Sequence, residues 1–179
     1  ESWHLAGAGR NKPRTFSDFA AALEWLHEHK WTTPAMTALE GHSAGGLVVG
    51  VVMASRPNLL GAAIARMPLL DMLRFSKFGS GPRWTGEFGD PTDPEDRAVL
   101  RAYSPVHSIR EGGAYPPSMW SVGEFDDRVH PLHARKMLTL LQRNGADASL
   151  MLEKGVGHEG FSTIEHWEAT RADVLAFAW

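Results

Sequence analysis

A serine set among glycines, Gly41-His42-Ser43-Ala44-Gly45, separates two apolar runs of different character. Met36-Thr37-Ala38-Leu39-Glu40 leads in with the pattern of a strand. Leu47-Val48-Val49-Gly50-Val51-Val52-Met53 leads out as a helix apolar nearly all round. Few architectures accommodate a strand, a sharp turn and a buried helix in so short a span. The helix has to pass close to the strand it leaves, which the small residues Gly41, Ala44, Gly45 and Gly46 allow. The serine at the turn must take a strained backbone conformation. It then stands at a helix N-terminus, whose unpaired N–H groups and positive end favour a developing oxyanion. Ser43 is the candidate nucleophile, and a plain glycine-rich turn is the alternative.

The rest of the chain alternates in the same way. Thr15-Phe16-Ser17-Asp18 fits a capping box, and Phe16, Phe19, Ala20, Leu23 and Leu26 recur at helical spacing through about Lys30. Residues 59–65 form an unbroken apolar run, as strands covered on both faces do. From 71 to 117 glycines and prolines break the pattern while Phe75, Phe78, Trp84 and Phe88 stud it. Such a stretch over a regular scaffold is expected to form a lid or a pocket wall. Within it, Asp93-Pro94-Glu95 reads as a helix cap followed by proline at the first helical position. Strands are expected again at 118–122 and 148–152, with a helix from Pro131 to Asn144-Gly145 between them. A last helix, capped at Ser162-Thr163-Ile164-Glu165, carries Ile164, Trp167, Val174 and Leu175. Strands alternating with helices predict an α/β fold, a parallel sheet flanked by helices.

Composition limits what such a domain can do. Its 179 residues suit one domain, and 43% hydrophobic with 22% charged residues describes an ordinary globular chain. Net charge is −3 and the basic residues do not cluster, so no nucleic acid is expected as a partner. No apolar run approaches the roughly 20 residues of a membrane span, so none is expected in a membrane either. The chain has no cysteine, which rules out thiolate chemistry and disulfides and leaves the compartment open. Its opening, Glu1-Ser2-Trp3-His4-Leu5-Ala6-Gly7, reads like mid-domain sequence, and a piece of a longer protein is expected.

A serine becomes a strong nucleophile when a histidine takes its proton and an acid fixes that histidine's tautomer. His158 sits in the glycine-flanked loop Gly157-His158-Glu159-Gly160 after the last expected strand, and is the preferred base. His27 and His29 fall on a helix, and His130 with His133 would make a metal pair only with a third ligand that the sequence does not offer. His42 adjoins Ser43, and adjacent residues point apart, so it is expected to be a wall of the site. For the acid, Glu124, Asp126, Asp127 and Asp71 are candidates, and spacing does not separate Asp126 from Asp127. Serine, acid and histidine in that chain order, each on a loop after a strand, is the arrangement of α/β-hydrolases.

Several stretches together carry a closer resemblance: Trp3-His4 through Lys12, Thr15-Phe16-Ser17-Asp18-Phe19, the elbow with Gly46-Leu47, Arg56-Pro57-Asn58-Leu59, Asp71-Met72-Leu73-Arg74-Phe75, Tyr103-Ser104-Pro105 and Asp126-Asp127-Arg128-Val129. Residues 3–177 resemble the C-terminal part of a prolyl oligopeptidase family catalytic domain, an α/β-hydrolase. The resemblance implies a serine peptidase that cuts short peptides, often after proline, with a β-propeller gating access. By position it implies Ser43 as nucleophile, Asp126 as acid, His158 as base and the backbone N–H of Ala44 as one oxyanion donor. It implies Trp84 as the surface that stacks on a substrate proline and Arg128 as the group that holds a substrate carbonyl. Read without it, Trp84 is an apolar anchor and Arg128 half of a surface ion pair. No cofactor is needed for this chemistry. Two residues depart from the family's pattern: Glu159 follows His158 where glycine is common, and Arg83 adjoins Trp84 where apolar neighbours are expected.

The resemblance also implies that 1–179 is the C-terminal portion of the catalytic domain. The early strands, the tyrosine that supplies the second oxyanion donor and the propeller would then precede Glu1, and that missing N-terminal part would be this chain's partner, with a short peptide as substrate. Two alternatives remain: a carboxylic-ester hydrolase on the same fold, and a non-catalytic binding or assembly module.

Overall fold

Four short strands line up in chain order, all parallel, in the computed structural model, which describes residues 1–179. They are β1 (Ala38–His42), β2 (Ala62–Arg66), β3 (Ser118–Gly123) and β4 (Ala148–Glu153). Gly41 pairs with Ala65, Arg66 with Ser121 and Gly123 with Glu153, so the C-terminal ends of the strands come together along one rim. The helices are α1 (Ser2–Ala6), α2 (Pro13–Glu28), α3 (Ala44–Ser55), α4 (Thr85–Phe88), α5 (Pro94–Tyr103), α6 (Pro105–Ser108), α7 (Leu132–Arg143) and α8 (Ile164–Ala178). The α/β architecture read from the alternation is the one observed.

Side chains alternate across the sheet and divide the core in two. Ala63, Ala65, Trp120 and Val122 point to one face, where they meet Leu47, Val49 and Met53 of α3 and Met137 and Leu141 of α7. Ile64 and Met119 point to the other and meet Val174 of α8. The first cluster is much the larger, and it includes Phe16, Ala20 and Leu23 of α2. Of the four apolar residues placed along α8 by the sequence, Val174 is buried while Ile164, Trp167 and Leu175 are exposed.

One expectation needs correction. Helix α2 begins at Pro13, so Thr15 lies inside it, and its hydroxyl donates to the Gly7 carbonyl instead of capping an N–H. The proline already has the φ that a first helical residue needs, and it starts the helix without the capping box. The stretch from 71 to 117, expected to be a lid or a pocket wall, takes the second of those roles through Trp84 and Phe88 and is anchored in the core. Met72, Phe75, Phe88, Leu100 and Tyr103 are buried in the main core, and Asp93 caps α5 by accepting from the N–H groups of Glu95 and Asp96.

His133, at the start of α7, ties the beginning of this stretch to that helix. Its Nδ1 accepts from Leu70 N at 3.1 Å and Asp71 N at 2.9 Å. Burial pushes its pKa down to about 4, although Asp71 and Asp126 pull the other way, while Lys136 and His130 add to the fall. The unfolded chain, with histidine near 6.5, binds more protons than the folded one between those values. Stability is therefore complete above about pH 6.5 and declines toward pH 4, by about 3 kcal/mol from this group. Desolvation lowers His42 and His107 as well, so both add to the loss of stability as pH falls below the ordinary histidine range. Urea titrations at pH 7 and pH 4.5 are expected to show this decline. His133→Asn is expected to flatten it, because an amide oxygen can accept the same two N–H groups without taking a proton.

Candidate active site

Ser43 joins β1 to α3 with φ 56° and ψ −117°, a region side chains rarely occupy. Its N–H donates to the Arg66 carbonyl at 2.8 Å, continuing the β1–β2 ladder one residue past the strand. The close passage of helix over strand is literal. A Cβ on Gly41 would collide with the Gly45 carbonyl, and one on Gly46 would meet Pro68 Cβ at 2.6 Å. The turn lifts the Ser43 hydroxyl to the rim, 2.8 Å from His158 Nε2.

His158 comes from the loop after β4 and Asp126 from the loop after β3, and both are buried. Asp126 Oδ2 lies 2.9 Å from His158 Nδ1, while Oδ1 accepts from the N–H groups of Arg128 (3.0 Å) and Val129 (2.9 Å). Those two amides fix the carboxylate's rotation and leave Oδ2 to accept the Nδ1–H. Nε2 then carries the lone pair that faces the Ser43 O–H, the tautomer a general base needs. Ala44 is the first residue of α3, where helix geometry leaves the N–H without an intrahelical partner.

The other candidates stand apart. Asp127 is exposed, Glu124 accepts from Gly155 N, and Asp71 is engaged by Lys136 and Arg74. Burial works against the ionised form of Asp71, but those two cations outweigh it and hold the carboxyl below its ordinary range. His27 faces Thr37, and His29 stacks on Trp25. His130 spends its Nδ1 on Leu132 N. His42 is not a wall of the cavity beside Ser43. It lies behind His158, where its Nε2 donates to the His158 carbonyl at 2.8 Å and its ring packs 4.9 Å from the His158 ring. Desolvation lowers its pKa and keeps it neutral at pH 7, as a neutral donor with one N–H should be.

A second support had no counterpart in the sequence reading. Arg66, at the end of β2, is buried and reaches both oxygens of Glu153 (3.5 and 3.3 Å) and the Gly160 carbonyl (3.4 Å). Glu153, at the end of β4, also accepts from Ser121 Oγ at 2.7 Å. The pair thus ties β2, β3 and β4 to the far side of the His158 loop. The available signal was a charged residue closing each of two largely apolar strands.

A cavity of about 500 Å³ opens beside Ser43 and His158, walled by Leu69, Trp84 and Phe88 with Arg83, Glu87 and Arg128 at its polar side. Trp84 ends a short 3-10 turn (Gly81–Trp84) and is half-buried against the core. Arg128 lines the cavity and also stands 3.6 Å from Glu159, so it has both the surface pairing and the access to the site considered for it.

The model of the prolyl oligopeptidase family matches residues 1–179. A prolyl endopeptidase of Elizabethkingia meningoseptica is 37% identical over 99% of this chain and 26% of its own length. An uncharacterized peptidase of Sinorhizobium fredii, y4nA, is 41% identical over 80% of this chain and 20% of its own. Among solved structures, one from a study of two prolyl endopeptidases superposes with a TM-score of 0.96 at 41% identity, over 99% of this chain and 27% of that one. The chain thus spans about a quarter of the length of these relatives.

The buried Arg66–Glu153 pair makes a direct test of the packing behind His158. Arg66→Met leaves the Glu153 carboxylate buried with only a hydroxyl partner, and is expected to cost about 3 kcal/mol of stability in urea titration. Adding Glu153→Gln should recover part of that loss. A double variant as unstable as the sum of the two single ones would show that the groups act independently.

Proposed function

The chain belongs to the prolyl oligopeptidase family, and we propose that it is the C-terminal catalytic part of a serine peptidase that cleaves short peptides after proline. One observation carries this reading: the unbroken line from Ser43 Oγ through His158 to Asp126, at 2.8 and 2.9 Å, beside a cavity walled by Trp84. The names of the relatives, prolyl endopeptidase among them, support the substrate class.

On this reading the Ser43 oxygen attacks the carbonyl carbon after the substrate proline as His158 Nε2 takes its proton. The Nδ1–H stays with Asp126, whose charge offsets that of the imidazolium. The carbonyl oxygen, now an anion, is met by the Ala44 N–H at the positive end of α3. His158 returns the proton to the leaving amine, and an ester on Ser43 remains. Water then attacks that ester with His158 again as base, releasing the acid and restoring the serine. Trp84 offers a flat apolar face to a ring that has no N–H to satisfy, and Arg128 offers donors to a substrate carbonyl.

We assign the remaining length of the protein to the early strands of the sheet, a second oxyanion donor and the propeller implied by the family. Two features support this. β1 is paired with β2 alone, and its residues are only partly covered. Trp31, Met36, Ile164, Trp167, Leu175 and Trp179 are exposed around the chain.

A fluorophosphonate is expected to modify Ser43 and no other serine, located by peptide mass spectrometry, and a proline amide should be turned over in preference to a simple aryl ester. Asp126→Asn is expected to slow the modification by about 10⁴. Its amide would turn His158 Nδ1 into the acceptor and aim an N–H at the Ser43 oxygen. Equal labelling of the native chain and this variant, both folded, would sink the assignment of Asp126.

A further inference from the structure

The charges around the Ser43 cavity are not balanced in pairs. Glu87 is engaged by Lys12 and lies 3.5 Å from His4. Arg128 has Glu159 at 3.6 Å. Arg83 lines the same cavity, is exposed, and has no carboxylate within ion-pair distance. It is the one charged side chain of the cavity without a counter-ion.

Its position is well defined by the backbone around it. The Arg83 N–H donates to the Ser80 carbonyl at 3.0 Å, and the Ser80 N–H donates to the Arg128 carbonyl at 3.1 Å. The turn that carries Arg83 and Trp84 is therefore fastened to the loop that carries Asp126 and Arg128. Arg83 and Arg128 thus reach the cavity lined by Trp84 from two backbone segments fastened to each other. A guanidinium is always charged, presents donors in a planar fork and matches a carboxylate in two parallel hydrogen bonds.

We infer that Arg83 is a specificity-determining residue that selects peptides with an acidic side chain next to the proline. The inference rests on the peptidase reading above, since it assumes that this cavity receives the peptide. Trp84 holds the apolar ring, and Arg83 supplies the missing half of an ion pair with the neighbouring residue. Because the site is open to water at Arg83, the gain is that of a solvent-accessible pair. A preference of about fivefold for a glutamate over a glutamine neighbour is its expected size.

The test uses the full-length peptidase and fluorogenic peptides with Glu, Gln or Lys on either side of the proline, comparing kcat/KM at low and high salt. The expected result is Glu above Gln above Lys on one side, with the ratio shrinking at high salt, as screening requires. Arg83→Ala should bring the Glu-to-Gln ratio close to one, Arg83→Lys should retain part of it, and Arg83→Glu should favour Lys. Equal rates for Glu and Gln peptides would overturn the inference, as would a Glu preference that survives Arg83→Ala or is indifferent to salt. Failure of the underlying reading looks different: none of the peptides is cut and Ser43 takes no fluorophosphonate.

Discussion

The backbone turn at Ser43 is the constraint from which the site follows. A residue with a side chain held at φ 56° and ψ −117° costs about 1–3 kcal/mol, and nothing local repays it. The offset comes from α3. Leu47, Val49, Val52 and Met53 are almost wholly buried, each contributing about 1.5–3 kcal/mol on leaving water. The helix cannot retreat from β1 without giving up that burial, and it cannot approach further because Gly41 already touches the Gly45 carbonyl. Ser43 is thereby held between two rigid elements, with its hydroxyl at the strand ends and the open N–H groups of α3 beside it.

The other two members of the line are held by a different device. The loops after β3 and β4 cross so closely that a Cβ on Gly123 would meet the Gly157 carbonyl at 2.6 Å. This brings Asp126 and His158 together although 32 residues separate them. The imidazole then needs a backing on its remaining sides. His42 supplies it through the His158 carbonyl, and Arg66 with Glu153 supplies it through Gly160. All three supports come from strand ends, so the orientation of His158 is a property of the sheet as much as of its own loop. Burying a charged pair is costly, and its Arg66 Nε has no partner at all. The pair is better understood as fixing geometry than as adding stability.

How far the sequence revealed this depends on the kind of signal. The elbow was legible because its requirements are local: apolar runs of two periods and small residues at fixed offsets. The helix start at Pro13 was misread because Thr15 and Asp18 offered a capping box that the proline made unnecessary. The second strand begins at Ala62, three residues later than its apolar run suggests, because Pro57–Leu59 form a 3-10 turn. Asp126 and Asp127 are indistinguishable by spacing, and only the turn's geometry buries one and exposes the other. Arg66 and Glu153 carry no such local signal, and His42, expected to be a wall of the site, instead backs His158. Each forms its contacts across strands far apart in sequence, and a lone charge at a strand end usually means a solvated one.

The three loops of the site do not rest on equal foundations. Asp126 follows β3, which is hydrogen-bonded on both sides, whereas His158 follows β4, which is bonded to β3 alone. Ser43 follows β1, which is bonded to β2 alone and presents its other edge unpaired. A strand held on one side opens at lower free energy than one held on both, since fewer hydrogen bonds and less apolar contact have to be broken. The 2.8 Å contact between Ser43 and His158 therefore joins the loops that follow the two edge strands of the sheet. In the proposed longer protein, a strand paired to the free edge of β1 would confine it from both sides. That would stabilise the serine's approach to its base without touching either residue.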